Sequence, residues 1–339
     1  MEYAGLDVSK ESIVVVWKDL EGNTTRKGTY PNSPDGLEGL AALLAGCKAT
    51  VESSTAGLYV HECLSKRGIP IVMANPARIR LISESDKKTD NNDAEVLANL
   101  LRTNMLPTCY VPPAPVRKQR DLIRERKYLV QTNVAFKSRI RAALAANGLN
   151  CPYTNILGDD AQGWLETVET LPHVKEHIMQ LLRLGNSFIA EIRVLDTLIE
   201  LEYGRMDEAY LLDTIPGIAK NSAVTIMSEI GDIHRFDSHK KLCSYAGLVP
   251  VVHQSGNVLY SGHAKHGNKM LKTTLVENAS VAVMRPGRFR KFYQKIKKRK
   301  GHQKAILAVA HKMLTIIWFM LQRKKPFEGA VICHKRRVA

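Results

Sequence analysis

The sequence predicts an α/β domain at the N-terminus followed by a longer, mainly helical region. Over the first hundred or so residues, short β-branched runs alternate with segments of helical spacing. Beyond a proline cluster, apolar residues recur at helical spacing between charged faces. Taken in order, YAGLDV and SIVVVWKD are apolar and β-branched, so each reads as a strand. Glu21-Gly22-Asn23 supplies the turn into a third strand, TTRKGTY. GLEGLAALLAG has helical spacing, KATVES is a fourth strand, GLYVHECLSKRG a helix, PIVMANP a fifth strand and DAEVLANLLRTN a helix. A three-strand meander followed by alternating helices and strands is the order of the ribonuclease H-like fold.

Prolines 107, 112, 113 and 115 break helical continuation and mark a boundary. From Arg117 to Glu202 the chain reads as helical, with two long amphipathic stretches around a variable middle, an arrangement suited to a coiled coil or a plain helical bundle. A third region opens at about Asp213. Its TIPGIAKNSAVTIMSEIG places Gly217 at a turn between short helices, as in helix-hairpin-helix units that hold a phosphate on backbone N–H groups, or in an ordinary packing element.

The charge narrows the partners. Lys and Arg number 49 against 33 Asp and Glu, a formal charge of +16 over 339 residues, which favours a polyanion and first of all nucleic acid. No uninterrupted apolar run of bilayer length stands out, and MEYAGLDVSK lacks the apolar core of a signal peptide, so the expected place is the cytoplasm and not a membrane. Six scattered cysteines without a CxxC pair make neither a disulfide framework nor a zinc knuckle.

Four acids stand out. Asp7 sits in an apolar strand, where a carboxylate is costly to bury without a cation. Glu52 ends the fourth strand, and in a ribonuclease H-like sheet the first and fourth strands are neighbours. Asp90 and Asp93 are three apart at a helix start, so both can lie on one face, although Asp93 also suits a simple N-terminal cap. Convergent oxygen ligands of this kind suit a pair of divalent ions that drive phosphoryl transfer. The Gly-rich phosphate loops of an actin-like or sugar-kinase site are missing. Farther on, Ser255 lies in a Gly-flanked polar turn after an apolar run, a setting that suits a hydroxyl nucleophile but is common among loops. His253, His263, Lys265, His266 and Lys269 can supply neighbouring cations. In RPGRFRKFYQKIKKRKGHQK, the cations Arg288, Arg290, Lys291, Lys297, Lys298 and Arg299 interleave with Phe289, Phe292 and Tyr293, which suits phosphate contact with aromatic stacking or packing, or a solvated helix face.

At these residues the chain resembles the DEDD transposases of bacterial insertion sequences, the one-ten family that includes the RNA-guided bridge recombinases. The likeness is collinear through GLDVSK, VESSTAGLY, ANPARIR, KTDNNDAEVLANLLRTNMLP, the IPGIAK, EIG, RF, AGLVP and QSG series, and GNKMLK. It implies a RuvC-like (ribonuclease H-like) domain over residues 1–112, a helical coiled-coil middle over 113–207 used in dimer assembly, and a mainly α transposase domain over 208–339. It also implies that Asp7, Glu52, Asp90 and Asp93 bind Mg2+, with Mn2+ as a substitute, and that Ser255 is the nucleophile. The implied partners are donor and target DNA, a structured non-coding guide RNA, and further copies of the chain as a homodimer or homotetramer. HAKHG, after Gly262, departs from the family pattern by being one residue shorter and lacking a hydroxyl. Two other functions fit parts of the pattern: a Holliday-junction resolvase-like nuclease that uses water, and a catalytically silent nucleic-acid-binding protein.

Overall fold

The computed structural model describes residues 1–79, 90–249, 251–255, 258–262 and 267–327. The chain divides between Val111 and Pro112 into two compact units, inside the proline cluster.

The first unit is a mixed sheet with helices. Its strands are β1 (Tyr3–Val8), β2 (Ser12–Lys18), β3 (Thr24–Pro31), β4 (Lys48–Glu52) and β5 (Ile71–Ala74), in the order β3-β2-β1-β4-β5. The first three form an antiparallel meander, whereas β4 runs parallel to β1 and β5 parallel to β4. The helices are α1 (Pro34–Leu43), α2 (Thr55–Lys66), α3 (Pro76–Ile79) and α4 (Asp90–Arg102). Ser33 and Ser54 cap α1 and α2 by accepting from the N–H groups of Gly36 and Gly57. Side chains alternate across the sheet. Leu6, Val15, Trp17 and Val51 pack with Leu37, Leu40, Val60 and Leu64 on one side, while Val14 and Val16 meet Ala94 of α4 on the other.

The second unit is mostly helical. Its helices α5 (Ala114–Ala146) and α7 (Pro172–Gly204) run antiparallel: Gln119 meets Glu202, Arg126 meets Asp196 and Phe136 meets Phe188, so ascending numbers in one pair with descending numbers in the other. The short α6 (Asp159–Thr167) lies between them in sequence and supplies Leu165 to a core with Ile140, Leu144 and Ile178. Then follow α8 (Asp207–Asp213), α9 (Lys220–Ile230), α10 (His239–Tyr245), the hairpin of β6 (Val251–Ser255) and β7 (Val258–Gly262), α11 (Lys269–Ala282) and α12 (Arg288–Arg323). The turn before α9 packs tightly: a Cβ at Gly217 would lie 2.6 Å from the Asn278 carbonyl oxygen of α11.

Helix α12 departs from the sequence expectation. A straight helix of its 36 residues would span about 54 Å. Yet Phe289 stacks on Phe327 with ring centroids 5.9 Å apart, and the Lys312 ammonium sits 4.4 Å from the Phe292 ring centre. The chain reverses at Gly301, whose φ of 79° and ψ of 174° belong to a region essentially reserved for glycine. The two limbs of α12 therefore lie back to back. The limb after Gly301 contains a window that by mean hydropathy and length could cross a membrane, although His311 and Lys312 interrupt its apolar run, and half of that window is buried inside the protein. Val309, Ala310, Met313, Leu314 and Ile317 place it in the core of the second unit.

Candidate active site

In the first unit, neighbouring strands and one helix bring Glu52, Asp90 and Asp93 within electrostatic reach of Asp7. Leu6 pairs with Val51 across β1 and β4, so Asp7 and Glu52 each follow a paired residue at the same end of the two strands. Since Leu6 and Val51 enter the core on one side of the sheet, alternation turns Asp7 and Glu52 to the other, beneath α4. Asp90 and Asp93 lie in the first turn of that helix, where the helix dipole favours carboxylates. Close seating of α4 requires Gly5: a Cβ there would come within 2.0 Å of the Ala94 carbonyl oxygen and 2.5 Å of the Ala98 nitrogen. The local sequence gives this glycine no prominence beyond its place two residues before Asp7, which puts it on the same face of the strand.

The proximity has an electrostatic signature. Burial raises the Asp7 carboxyl from 3.8 to about 6, with further upward pressure from the charges of Asp90, Asp93 and Glu52, against a hydrogen bond donated by the Val8 backbone. Asp7, Glu52 and Asp93 are half-buried and Asp90 is exposed. No ion pair joins any of the four to a described residue. Among the described residues, no three His, Cys, Asp or Glu side chains stand close enough to hold a metal ion as they are arranged.

In the second unit, Ser255 is the last residue of β6, paired with Val258, so it sits beside the hairpin turn. His253 lies on the same strand, opposite Tyr260, while His263, Lys265 and His266 lie outside the described residues. Lys269 begins α11 and is exposed. Arg288, Arg290, Lys291, Lys297, Lys298 and Arg299 all lie on the first limb of α12 and are exposed. Lys291, Lys295, Lys297, Lys298 and Arg299 line a shallow basic concavity with Gln294.

The aromatic residues between them behave differently from the stacking expectation. Phe289 is buried, Phe292 is covered by Lys312, and the Tyr293 hydroxyl is 2.7 Å from His302 Nδ1. These contacts tie the first limb to the chain beyond Gly301, leaving the cations as that limb's outward chemistry.

A residue missed in the sequence is Glu229 of α9, which is fully buried. Arg124 donates to its Oε1 from Nε and Nη2 at 3.2 and 3.0 Å, and Asn268 donates to its Oε2 at 2.7 Å. Arg120 donates to the backbone carbonyls of Ser228 and Glu229 and places its Nε 3.7 Å from Oε2. The only available signal was an acid within an otherwise apolar helix, VTIMSEIG.

Comparison with known proteins fits this layout. Residues 4–147 match a family model of DEDD transposases described as "Transposase", and residues 209–294 match that of the Transposase IS116/IS110/IS902 family. The pilin gene-inverting protein of Moraxella lacunata is 26% identical over 97% of this chain and 98% of its own length. The transposase for insertion sequence element IS1111A of Coxiella burnetii is 27% identical over 85% of this chain and 81% of its own. The transposase for IS1328 of Yersinia enterocolitica is 24% identical over 93% and 95%, respectively. The two matched regions together cover more than half of the chain and define an enzyme that acts on DNA. The chain belongs to the IS116/IS110/IS902 family of insertion-sequence transposases.

Proposed function

We propose that this transposase cuts and joins DNA through Ser255, assisted by divalent cations held at Asp7, Glu52, Asp90 and Asp93. The observation that carries the reading is the gathering around half-buried Asp7 of Glu52 from β4 and Asp90 and Asp93 from α4, whose charges add to burial in raising its carboxyl, with no described basic partner. Such crowding suits a cation better than it suits a folded core. Mg2+, or Mn2+ in its place, would supply the positive charge that balances these acids and stabilises phosphate oxygens when bound. The strand order and the acids at its first and fourth strands support a RuvC-like, ribonuclease H-like domain over residues 1–112.

On this reading, the Ser255 hydroxyl attacks a DNA phosphorus and displaces a 3′-oxygen. The phosphodiester is exchanged for a phosphoserine ester, and the hydroxyl proton passes to the departing strand or solvent. The bond energy is retained, so the strand can be rejoined without an external energy source. The name of the pilin gene-inverting relative supports rearrangement of DNA as the outcome.

The exposed cations of the first α12 limb, with Lys265 and Lys269, supply phosphate contacts to donor and target DNA and to a structured non-coding guide RNA. The antiparallel α5 and α7 pair within residues 113–207 serves as a coiled coil for assembly of a homodimer or homotetramer, and residues 208–339 form the serine-bearing transposase domain. The enzyme works in the cytoplasm.

The deciding experiment is Ser255→Ala. It is expected to retain nucleic-acid binding in a gel shift while yielding neither cleaved strand nor covalent protein–DNA adduct. Cleavage of a cognate substrate at the unmodified rate would make Ser255 a loop residue and favour hydrolysis by water.

A further inference from the structure

We infer that Glu229 is a positioning residue that seats the hairpin carrying Ser255 on helix α5. The inference rests on the proposed role of Ser255, but the network itself is described independently of it.

In sequence the hairpin lies between Val249 and Gly267. The returning stem meets the buried Glu229 carboxylate, and the departing side meets the backbone carbonyl of the same residue. On the returning stem, Asn268 donates its amide to Glu229 Oε2 at 2.7 Å and to the Tyr245 hydroxyl at 3.0 Å, while its backbone N–H donates to the Tyr245 carbonyl at 2.7 Å. The Asn268 side-chain oxygen caps α11 by accepting from Leu271 N–H. On the departing side, the Tyr245 hydroxyl donates to the Glu229 carbonyl at 3.3 Å, and the Leu248 N–H donates to the Cys243 carbonyl at 3.0 Å. The stems touch with almost no space between them, because a Cβ at Gly267 would lie 2.6 Å from the Gly247 Cα.

Arg124 completes the link by gripping Glu229 Oε1 from α5, and Arg120 holds the neighbouring carbonyls. A fully buried carboxylate with these charged and neutral donors has a restricted choice of position. Its carboxylate therefore joins two elements: Arg124 of α5 holds both oxygens, and Asn268 of the returning stem shares Oε2. An apolar residue at this position would keep the backbone carbonyl for Tyr245 but leave Asn268 and Arg124 without the acceptor that joins them.

Hydrogen exchange in the full chain tests the mechanical claim. Glu229→Gln preserves size but removes the charge, and Tyr245→Phe removes only one hydroxyl and guards against loss of folding in the first variant. Both are expected to increase exchange in peptides covering residues 248–267 relative to α7, with cleavage turnover reduced about tenfold or more for Glu229→Gln and KM for DNA changed less than about twofold. Arg124→Lys should recover more turnover than Arg124→Met, because it keeps a cation facing Oε1. Unchanged exchange at 248–267 in both folded variants would overturn the positioning role. If exchange rises but Ser255→Ala retains full cleavage, the positioning device stands and the nucleophile assignment fails.

Discussion

The two units treat carboxylates in opposite ways. In the N-terminal unit, Asp7 lies among Glu52, Asp90 and Asp93, and no described cation pairs with them. In the C-terminal unit, a single Glu229 is shut away from solvent and receives Arg124 and Asn268, with Arg120 alongside. A balanced carboxylate contributes to one fixed arrangement, and removing it strands its partners. An unbalanced group of carboxylates opposes its own fold unless protons or a cation offset the charge. The difference separates an acid held by partners from acids left without described ones more sharply than burial does.

The largest expected contrast is in activity. Asp7→Asn or Asp90→Asn should reduce strand cleavage to background while leaving circular dichroism and most nucleic-acid affinity intact. A parallel loss of fold and activity would make these acids structural and break the contrast. Next in size is stability: Glu229→Ala should lower the unfolding free energy by about 3–5 kcal/mol in a urea titration, because Arg124 and Asn268 lose their acceptor and Arg120 its neighbouring counter-charge. Asp7→Asn should leave stability unchanged or raise it. If both substitutions destabilise alike, the two sites are not different in kind.

Gly5→Ala sharpens the comparison without altering a charge. Forcing α4 away from β1 should destabilise the chain by about 1–3 kcal/mol and reduce cleavage beyond what the lost stability explains, read as turnover well below the melting temperature. Unchanged turnover would mean that the seating of α4 does not align the acids. The smallest effect concerns pH. The folded-state value for Asp7 lies above the ordinary 3.8, so the folded chain retains a proton that the unfolded chain releases. Stability should therefore fall as pH rises from 3.8 to about 6 and stay lower above it. After solvent screening the loss is about 1–2 kcal/mol. Melting profiles with and without Mg2+ should diverge as Asp7 ionises, with Mg2+ restoring stability at pH 7, and Asp7→Asn should flatten the ion-free profile. Identical profiles with and without the ion would remove the cation argument.

Much of the N-terminal fold was legible because its physics is local. β-branched runs, the Gly22 turn and helical spacing define the elements, and the order of those elements predicts β4 beside β1. The juxtaposition of Asp7 and Glu52 followed from that order, and Asp90 with Asp93 followed from helical spacing. The role of Gly5 was less legible because it depends on a contact with residues 94 and 98. Glu229 was hidden for the same reason: its partners lie at positions 120, 124 and 268, and nothing near VTIMSEIG announces them. The interleaved aromatics of α12 suggested stacking on an outside partner, but the reversal at Gly301 gives them partners within the chain.

That reversal also sets where the sequence can change length. A residue inserted within either limb of α12 would rotate everything on one side of it by about 100° relative to the other. In the first limb, such a shift would turn exposed lysines toward the paired limb and carry Phe292 away from Lys312. At the bend the neighbouring space is open, with no heavy atom within 4 Å of the position a Cβ would take at Gly301. An added residue there alters the connection while leaving the internal spacing of both limbs intact. Variation in length should therefore collect at this bend, so that the basic limb can change its reach while the apolar limb keeps its register in the core.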